Sequence, residues 1–392
     1  MRQLKDNIYY VGVSHPSLRV FDIIMSTEYG TTYNAYLIKS EKTALVESVH
    51  DEFSEFYFEN ISSVTDISKI DYIIFNHTEP DHSGSLSKLL EINPNLTVVG
   101  TAVAIKNLKS ITNLEFNSMA VKTGDSIDLG NGEVIEFFQA PNLHWPDSMF
   151  SYLKSQKAVF TCDFLGSHFC EPDIDDTRIL EVNKYWDSFE VYFNAIMGPF
   201  KPFVLKGLDI LNKLDFDMVC TSHGPVLKSN IKTAMEKYKE WSTPVSLEKT
   251  ASVFYVSAYG YTKKMADFLC EKLNENGIKT TCYNLIEHSA DEIATALHSS
   301  NALLFGSPTF NKNAVPNIWS TFAMIDAVTS RNKPAMMFGS YGWSGEACAM
   351  MASHAKSIGL KVYENSVKCV FNPSQSDFDT LEKEVTQFAT MI

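Results

Sequence analysis

The chain has 392 residues, 45% of them apolar and 20% charged, with a formal charge of −14 at neutral pH. That length has room for two domains of roughly 150 residues each, and the balance is that of an ordinary globular protein. The charge argues against nucleic acid, whose phosphates it repels, and no run nears the roughly 20 apolar residues a membrane helix needs.

The opening MRQLKDNIYYV mixes charges into its first residues and lacks the apolar core of a signal peptide. The seven cysteines (162, 170, 220, 270, 282, 348 and 369) are odd in number and contain no CxxC pair. A reduced cytoplasm is therefore expected, with no zinc ribbon or rubredoxin module. Residues 1 to about 245 read as short strands: IYYVGV, TTYNAYLI, TALVES, DYIIFNH, EVIEFFQA after the turn LGNG, SMFSYL, AVFTCD and FDMVCTSH. Helical stretches such as SLSKLLEI and AVAIKNLKSI lie between some of them, which predicts a two-layered sheet sandwich flanked by helices. From about 250 the rhythm changes. TASVFYVSAYG, NALLFGSPTF and KPAMMFGSYGW each break into Gly, Ser and aromatic residues, and each precedes a helical segment. Strand, loop and helix repeated in this way predict a doubly wound parallel sheet. KYKEWSTPVSLEKT, with Pro244, is the expected linker, which sets the domains at 1–247 and 250–392. No internal repeat is evident.

The densest chemistry is NHTEPDHSG, directly after the apolar run DYIIF. His77, Glu79, Asp81 and His82 fall within one hexapeptide, and imidazole nitrogen with carboxylate oxygen suits iron, zinc or manganese. His144 in HWPDS, Asp163 at the end of AVFTCD and His223 in MVCTSHG occur at later strand ends. Any one of these alone reads better as a structural histidine or a capping aspartate. Together they make seven candidate ligands, enough for two metals sharing one carboxylate. His15, His50, His168, His288, His298 and His354 lie outside these motifs and read as structural or solvated.

The HxExDH pattern with the later His, Asp and His motifs resembles the metallo-β-lactamase-like domain of flavodiiron proteins, also called A-type flavoproteins. Hydrolases of that superfamily normally carry His where this chain has Glu79, and a second hard carboxylate suits iron better than a histidine-rich site does. The resemblance implies one iron on His77, Glu79 and His144, another on Asp81, His82 and His223, and Asp163 as the bridge. It also implies a pocket role for Tyr192, in the predicted helix EVYFNAIMG, as a hydrogen-bonding group for a diatomic ligand.

Ser257, Ala258, Tyr259, Gly260, Tyr261 and Thr262 form SAYGYT, between a predicted strand and helix. Small and hydroxyl residues there let N–H groups surround a phosphate at a helix N-terminus. The loop resembles the phosphate loop of flavodoxins, which bind FMN, with Tyr261 where Asn is common. Two further loops end later strands: Ser307, Pro308, Thr309, Phe310 and Asn311, then Ser340, Tyr341, Gly342, Trp343, Ser344 and Gly345. Phe310, Tyr341 and Trp343 are positioned to flank an isoalloxazine ring.

The resemblance covers nearly the whole chain and implies an α/β architecture: a metallo-β-lactamase-like αββα sandwich followed by a flavodoxin-like doubly wound sheet. It implies a cytoplasmic oxidoreductase of the short form, which reduces dioxygen to water and also handles nitric oxide. Electrons are expected from a separate donor, rubredoxin or a deazaflavin system. The expected unit is a head-to-tail homodimer, which can pair further into a tetramer. Two readings compete. A metal-dependent hydrolase would use the same ligands around a metal-bound hydroxide, and a non-enzymatic flavodoxin would be fused to an inert scaffold. Glu79 and the flavin loops count against the first, and the intact ligand set against the second.

Overall fold

The computed structural model describes residues 2–23, 25–243 and 248–392. The chain divides into two compact units, Met1–Pro244 and Val245–Ile392. Helix Ile231–Ser242 runs into the stretch read as a linker, and residues 244–247 of that stretch lie outside the described residues.

The first unit stacks two sheets between helices. The larger sheet orders its strands Arg2–Lys5, Ile8–Tyr10, Tyr36–Lys39, Thr43–Val46, Tyr72–Ile74, Thr97–Gly100 and Ser118–Ala120. The pairings are antiparallel up to Thr43–Val46 and parallel beyond it. The smaller sheet runs Ser126–Asp128, Val134–Gln139, Met149–Leu153, Ala158–Cys162 and Met218–Thr221, and only its last pair is parallel. Successive side chains of a strand point to opposite faces, and the packing obeys that rule. Ala44 and Val46 join Ile74, Phe137, Phe160 and Met218 in the core between the sheets, while Leu45 turns to the other face. There Tyr57, Ile61, Leu86, Leu89 and Leu108 seat three helices on the larger sheet. Tyr185, Phe189, Val204, Leu208 and Tyr238 seat three more on the smaller one.

The second unit is a parallel sheet ordered Lys279–Asn284, Thr250–Tyr255, Ala302–Gly306 and Pro334–Tyr341, with Lys361–Val362 and Val367–Val370 both pairing with the last of these. Helices cover both faces, among them Tyr261–Glu275 and Gln375–Ala389 on one side and Pro316–Ala323 and Ala347–Ser357 on the other. Cys270 and Cys282 form a disulfide between a helix and the edge strand, whereas the other five cysteines are free. Among the described residues, no helix is long and apolar enough to cross a membrane.

Candidate functional site

All seven candidate ligands come from one end of the first unit's sheets. His77 and Glu79 come after strand Tyr72–Ile74, and Pro80 opens the single helical turn Pro80–Ser83 that carries Asp81 and His82. Proline suits a first helical position because no intrahelical partner awaits its missing N–H. His144 lies in the loop between strands Val134–Gln139 and Met149–Leu153. The pairing of Ala158–Cys162 with its neighbour shifts register between Phe160 and Cys162, and Cys162 takes φ +51°. A bulge of this kind bends a strand and re-aims a side chain, and Asp163 is the residue directly after it. His223 stands just beyond strand Met218–Thr221.

The donor atoms fall into two groups. Glu79 Oε2 is 3.1 Å from both His77 Nε2 and His144 Nε2, and Asp163 Oδ2 is 3.0 Å from His144 Nε2. Asp81 Oδ2 is 3.0 Å from His223 Nε2 and 3.4 Å from His82 Nε2, and Asp163 Oδ1 is 3.1 Å from His82 Nε2. Each oxygen of Asp163 thus faces a different group. Metal–ligand bonds of about 2.1 Å give ligand-to-ligand edges of roughly 3 to 3.5 Å, so both groups have the dimensions of coordination polyhedra.

The site tests well for a cation. Buried polar atoms are normally hydrogen-bonded, yet both oxygens of Asp81, both ring nitrogens of His82 and Oδ1 of Asp163 have no hydrogen-bond partner. Burial opposes charge on His82, but the carboxylates of Asp81 and Asp163 outweigh it and push the imidazole up to about 10. Burial likewise works against the Asp163 carboxylate, and the rings of His82, His144 and His223 hold it well below its ordinary range. A cation would satisfy the same carboxylates that raise His82.

Supporting residues orient the rings. His223 Nδ1 donates to the Thr32 carbonyl at 2.6 Å, which leaves Nε2 with its lone pair toward the ligand group. Fully buried Asp147 sits with Oδ2 3.4 Å from His77 Nδ1 and accepts from the Thr78 hydroxyl at 2.7 Å. Asn107 in turn donates to Thr78 Oγ1. Sequence reasoning missed Asp147, although it stands three residues after His144 in HWPDS, where its charge is the only signal. Trp145 packs edge-on against His77 with ring centroids 5.0 Å apart. Tyr192 is buried at the end of helix Val182–Tyr192, where the chain widens into the π-helical turn Phe193–Met197. Its ring lies 6.2 Å from that of His223. His168, read from sequence as structural or solvated, is also buried, 5.0 Å from the His223 ring and 4.9 Å from that of Tyr192. Its burial and the nearby His223 hold it well below its ordinary range, so it is neutral.

The second unit holds a cavity of about 400 Å³ beyond the carboxyl ends of strands Thr250–Tyr255, Ala302–Gly306 and Pro334–Tyr341, the place where open parallel sheets bind ligands. It is lined by Ala258, Tyr259, Tyr261, Pro308, Thr309, Phe310, Asn311, Ser340, Tyr341, Gly342, Trp343 and Ser344. Lys312 and Phe371 line it too, and neither was expected. Five expected residues stand behind the wall and shape it. Ser257 Oγ accepts from Lys263 N at 3.1 Å, and Gly260 takes φ +82° at the N-cap of helix Tyr261–Glu275. Buried Thr262 shares a 2.9 Å hydroxyl bond with Ser340. Ser307 Oγ accepts from Val315 N, and Gly345, at φ +74°, underlies the Tyr341 ring. Trp343 is 93% exposed and Tyr259 81% exposed, large aromatic surfaces that an isolated unit gains nothing by displaying.

Comparison with known proteins identifies the family. The family model described as ODP family beta lactamase matches residues 31–224, and the flavodoxin model matches residues 253–384. The flavo-diiron protein FprA2 of Clostridium acetobutylicum is 47% identical over 100% of this chain and 99% of its own. The anaerobic nitric oxide reductase flavorubredoxin of Aeromonas hydrophila is 33% identical, over 95% of this chain and 76% of its own. Among solved structures, the rubredoxin oxygen:oxidoreductase of Desulfovibrio gigas superposes with a TM-score of 0.71 at 27% identity, covering 99% of this chain and 98% of that one. This chain therefore belongs to the flavo-diiron protein family of oxidoreductases.

Proposed function

We propose that this protein reduces dioxygen to water in the cytoplasm, and nitric oxide to nitrous oxide as a second activity, within the domains 1–247 and 250–392. His77, Glu79 and His144 would hold one iron, Asp81, His82 and His223 the other, with Asp163 between them. The 257–262, 307–311 and 340–345 loops would hold FMN. The observation that carries this reading is Asp163, buried, with one oxygen turned to each ligand group. When bound, the pair of ferrous ions would supply two electrons and the reduced flavin two more, the four that dioxygen takes.

The chain's own part is positioning. The Thr32 carbonyl fixes the tautomer of His223, and the Asp147 carboxylate faces His77 Nδ1 at 3.4 Å. Three carboxylates, Glu79, Asp81 and Asp163, offset the charge of two divalent cations in a buried setting where an unpaired charge would be costly. The Tyr192 hydroxyl, kept protonated by burial, is a donor for an oxygen or nitrogen atom near His223. At the flavin site, backbone N–H groups at the start of helix Tyr261–Glu275 would hold the phosphate, and Phe310, Tyr341 and Trp343 would flank the ring.

The chain has no GxGxxG fingerprint after a strand, so electrons must reach it from a separate donor such as rubredoxin or a deazaflavin system. An oxygen electrode tests this reading: consumption should require an added reduced donor, with little from NADH alone, and Asp163→Asn should lower it more than any single histidine change. Full turnover in Asp163→Asn with two irons retained would rule Asp163 out as the bridge.

A further inference from the structure

Beside the ligand groups lies a second cavity, of about 260 Å³. Its mouth is at the surface, between Ser26, Glu28, Asp187 and Val191, and its floor is made by His168 and Tyr192. Both floor residues pack directly on the ring of His223. The cavity therefore runs from solvent to the residues that back one ligand group.

Two buried polar atoms of the lining residues have no hydrogen-bond partner, Thr27 Oγ1 and His168 Nε2. His168 Nδ1 lies 2.9 Å from Thr31 Oγ1, while Nε2, in a residue only 4% exposed, has no hydrogen-bond partner. The Thr31 hydroxyl has one proton to give. Its other acceptor, the Thr32 carbonyl, is farther at 3.3 Å and already takes the His223 Nδ1 proton at 2.6 Å. Where the Thr31 hydroxyl donates to His168 Nδ1, the ring proton sits on Nε2, a buried donor without a partner. A buried donor left unmet is destabilising, so an occupant that accepts from it is favoured.

The mouth says which occupants can enter. Glu28 and Asp187 are both exposed carboxylates there, on a protein of charge −14, so small anions are repelled. Aromatic and aliphatic surface from Tyr29, Val191 and Tyr192 makes up much of the wall.

We propose that this cavity is the entry and holding site for a small neutral hydrogen-bond acceptor, a diatomic gas or the water that replaces it, with His168 Nε2 as its donor. The inference rests on the reading of the protein as a gas-reducing enzyme, which it refines by giving the gas a route through the first unit.

Two measurements test it. Crystals pressurised with xenon should show density between His168 and Val191, and without gas an ordered water should lie within hydrogen-bond distance of His168 Nε2. In solution, Val191→Trp, or Ser26→Trp from the opposite wall, should slow the combination of nitric oxide with the reduced protein at least tenfold, at unchanged iron content and melting temperature. A cavity without xenon, or a rate within twofold of wild type in whichever of the two variants folds, overturns the proposal. Wild-type protein with full iron and flavin but no turnover would instead sink the proposed function, and the xenon result would still be readable.

Discussion

Asp147 is not itself a candidate ligand, yet it decides how well His77 can be one. Its carboxylate faces His77 Nδ1 and is held by Thr78, so Asp147→Asn should weaken iron binding by about 10- to 100-fold while the fold persists. Chelator competition measures this, and an unchanged affinity would make Asp147 a mere buried acid. The histidines add a pH dependence. His82 is raised from 6.5 to about 10 because Asp81 and Asp163 outweigh the cost of its burial. Its charge thus stabilises the metal-free fold fully below about 6.5, and that stability is lost as pH rises through about 10. Iron requires the neutral ring, so binding must expel the proton, and affinity should rise with pH across that window by up to about tenfold per unit for each proton released. Calorimetry in two buffers of different ionisation enthalpy counts those protons; an affinity flat with pH would contradict the assignment. These residues were unequally legible. The ligands stand out because seven of them crowd at strand ends. His168 and Asp147 do not, because a buried partner is defined by a neighbour distant in sequence, such as Thr31 or His77.

The elements were easier to read than their joints. Strands such as Val134–Gln139 and Ala302–Gly306 announce themselves by alternation or by a continuous apolar run. The break of TTYNAYLI into two strands of different sheets, Thr31–Tyr33 and Tyr36–Lys39, carries no such signal, since both halves are equally β-rich. The flavin loops depend on close strand ends. At Gly339 a Cβ would lie 2.1 Å from the Ser307 carbonyl oxygen, a backbone atom that cannot swing away. Gly339→Ala should therefore force apart the strands that carry two of the three loops, at a cost of about 1 to 3 kcal/mol, and loosen FMN. Flavin fluorescence after gel filtration would report the loss; retention equal to wild type would show that these strand ends do not shape the cavity. Phe371 escaped notice for the same reason: it comes just after the strand Val367–Val370, which pairs with Pro334–Tyr341 only in the folded sheet.

At the scale of the whole molecule, the expectation is a head-to-tail homodimer. A domain of about 245 residues has a radius of gyration of roughly 18 Å, and electron tunnelling weakens steeply with distance, so a two-fold axis that brings one chain's flavin to the other chain's irons is the economical arrangement. Two inactive variants test it when co-expressed: His144→Ala, which cripples the iron site, and a Thr262→Ala, Ser307→Ala pair, which empties the flavin site. Their isolated heterodimer holds one intact flavin and one intact iron pair on different chains, so activity supports transfer between chains and silence at correct loading refutes it. The central claim beneath all of this is that one polypeptide carries both a metal pair and a flavin. Iron and flavin analysis of protein expressed with ample iron measures it most directly. The predicted result is two irons and one non-covalent FMN per chain, the flavin released on denaturation; zinc as the only metal, or a chain without flavin, would contradict it.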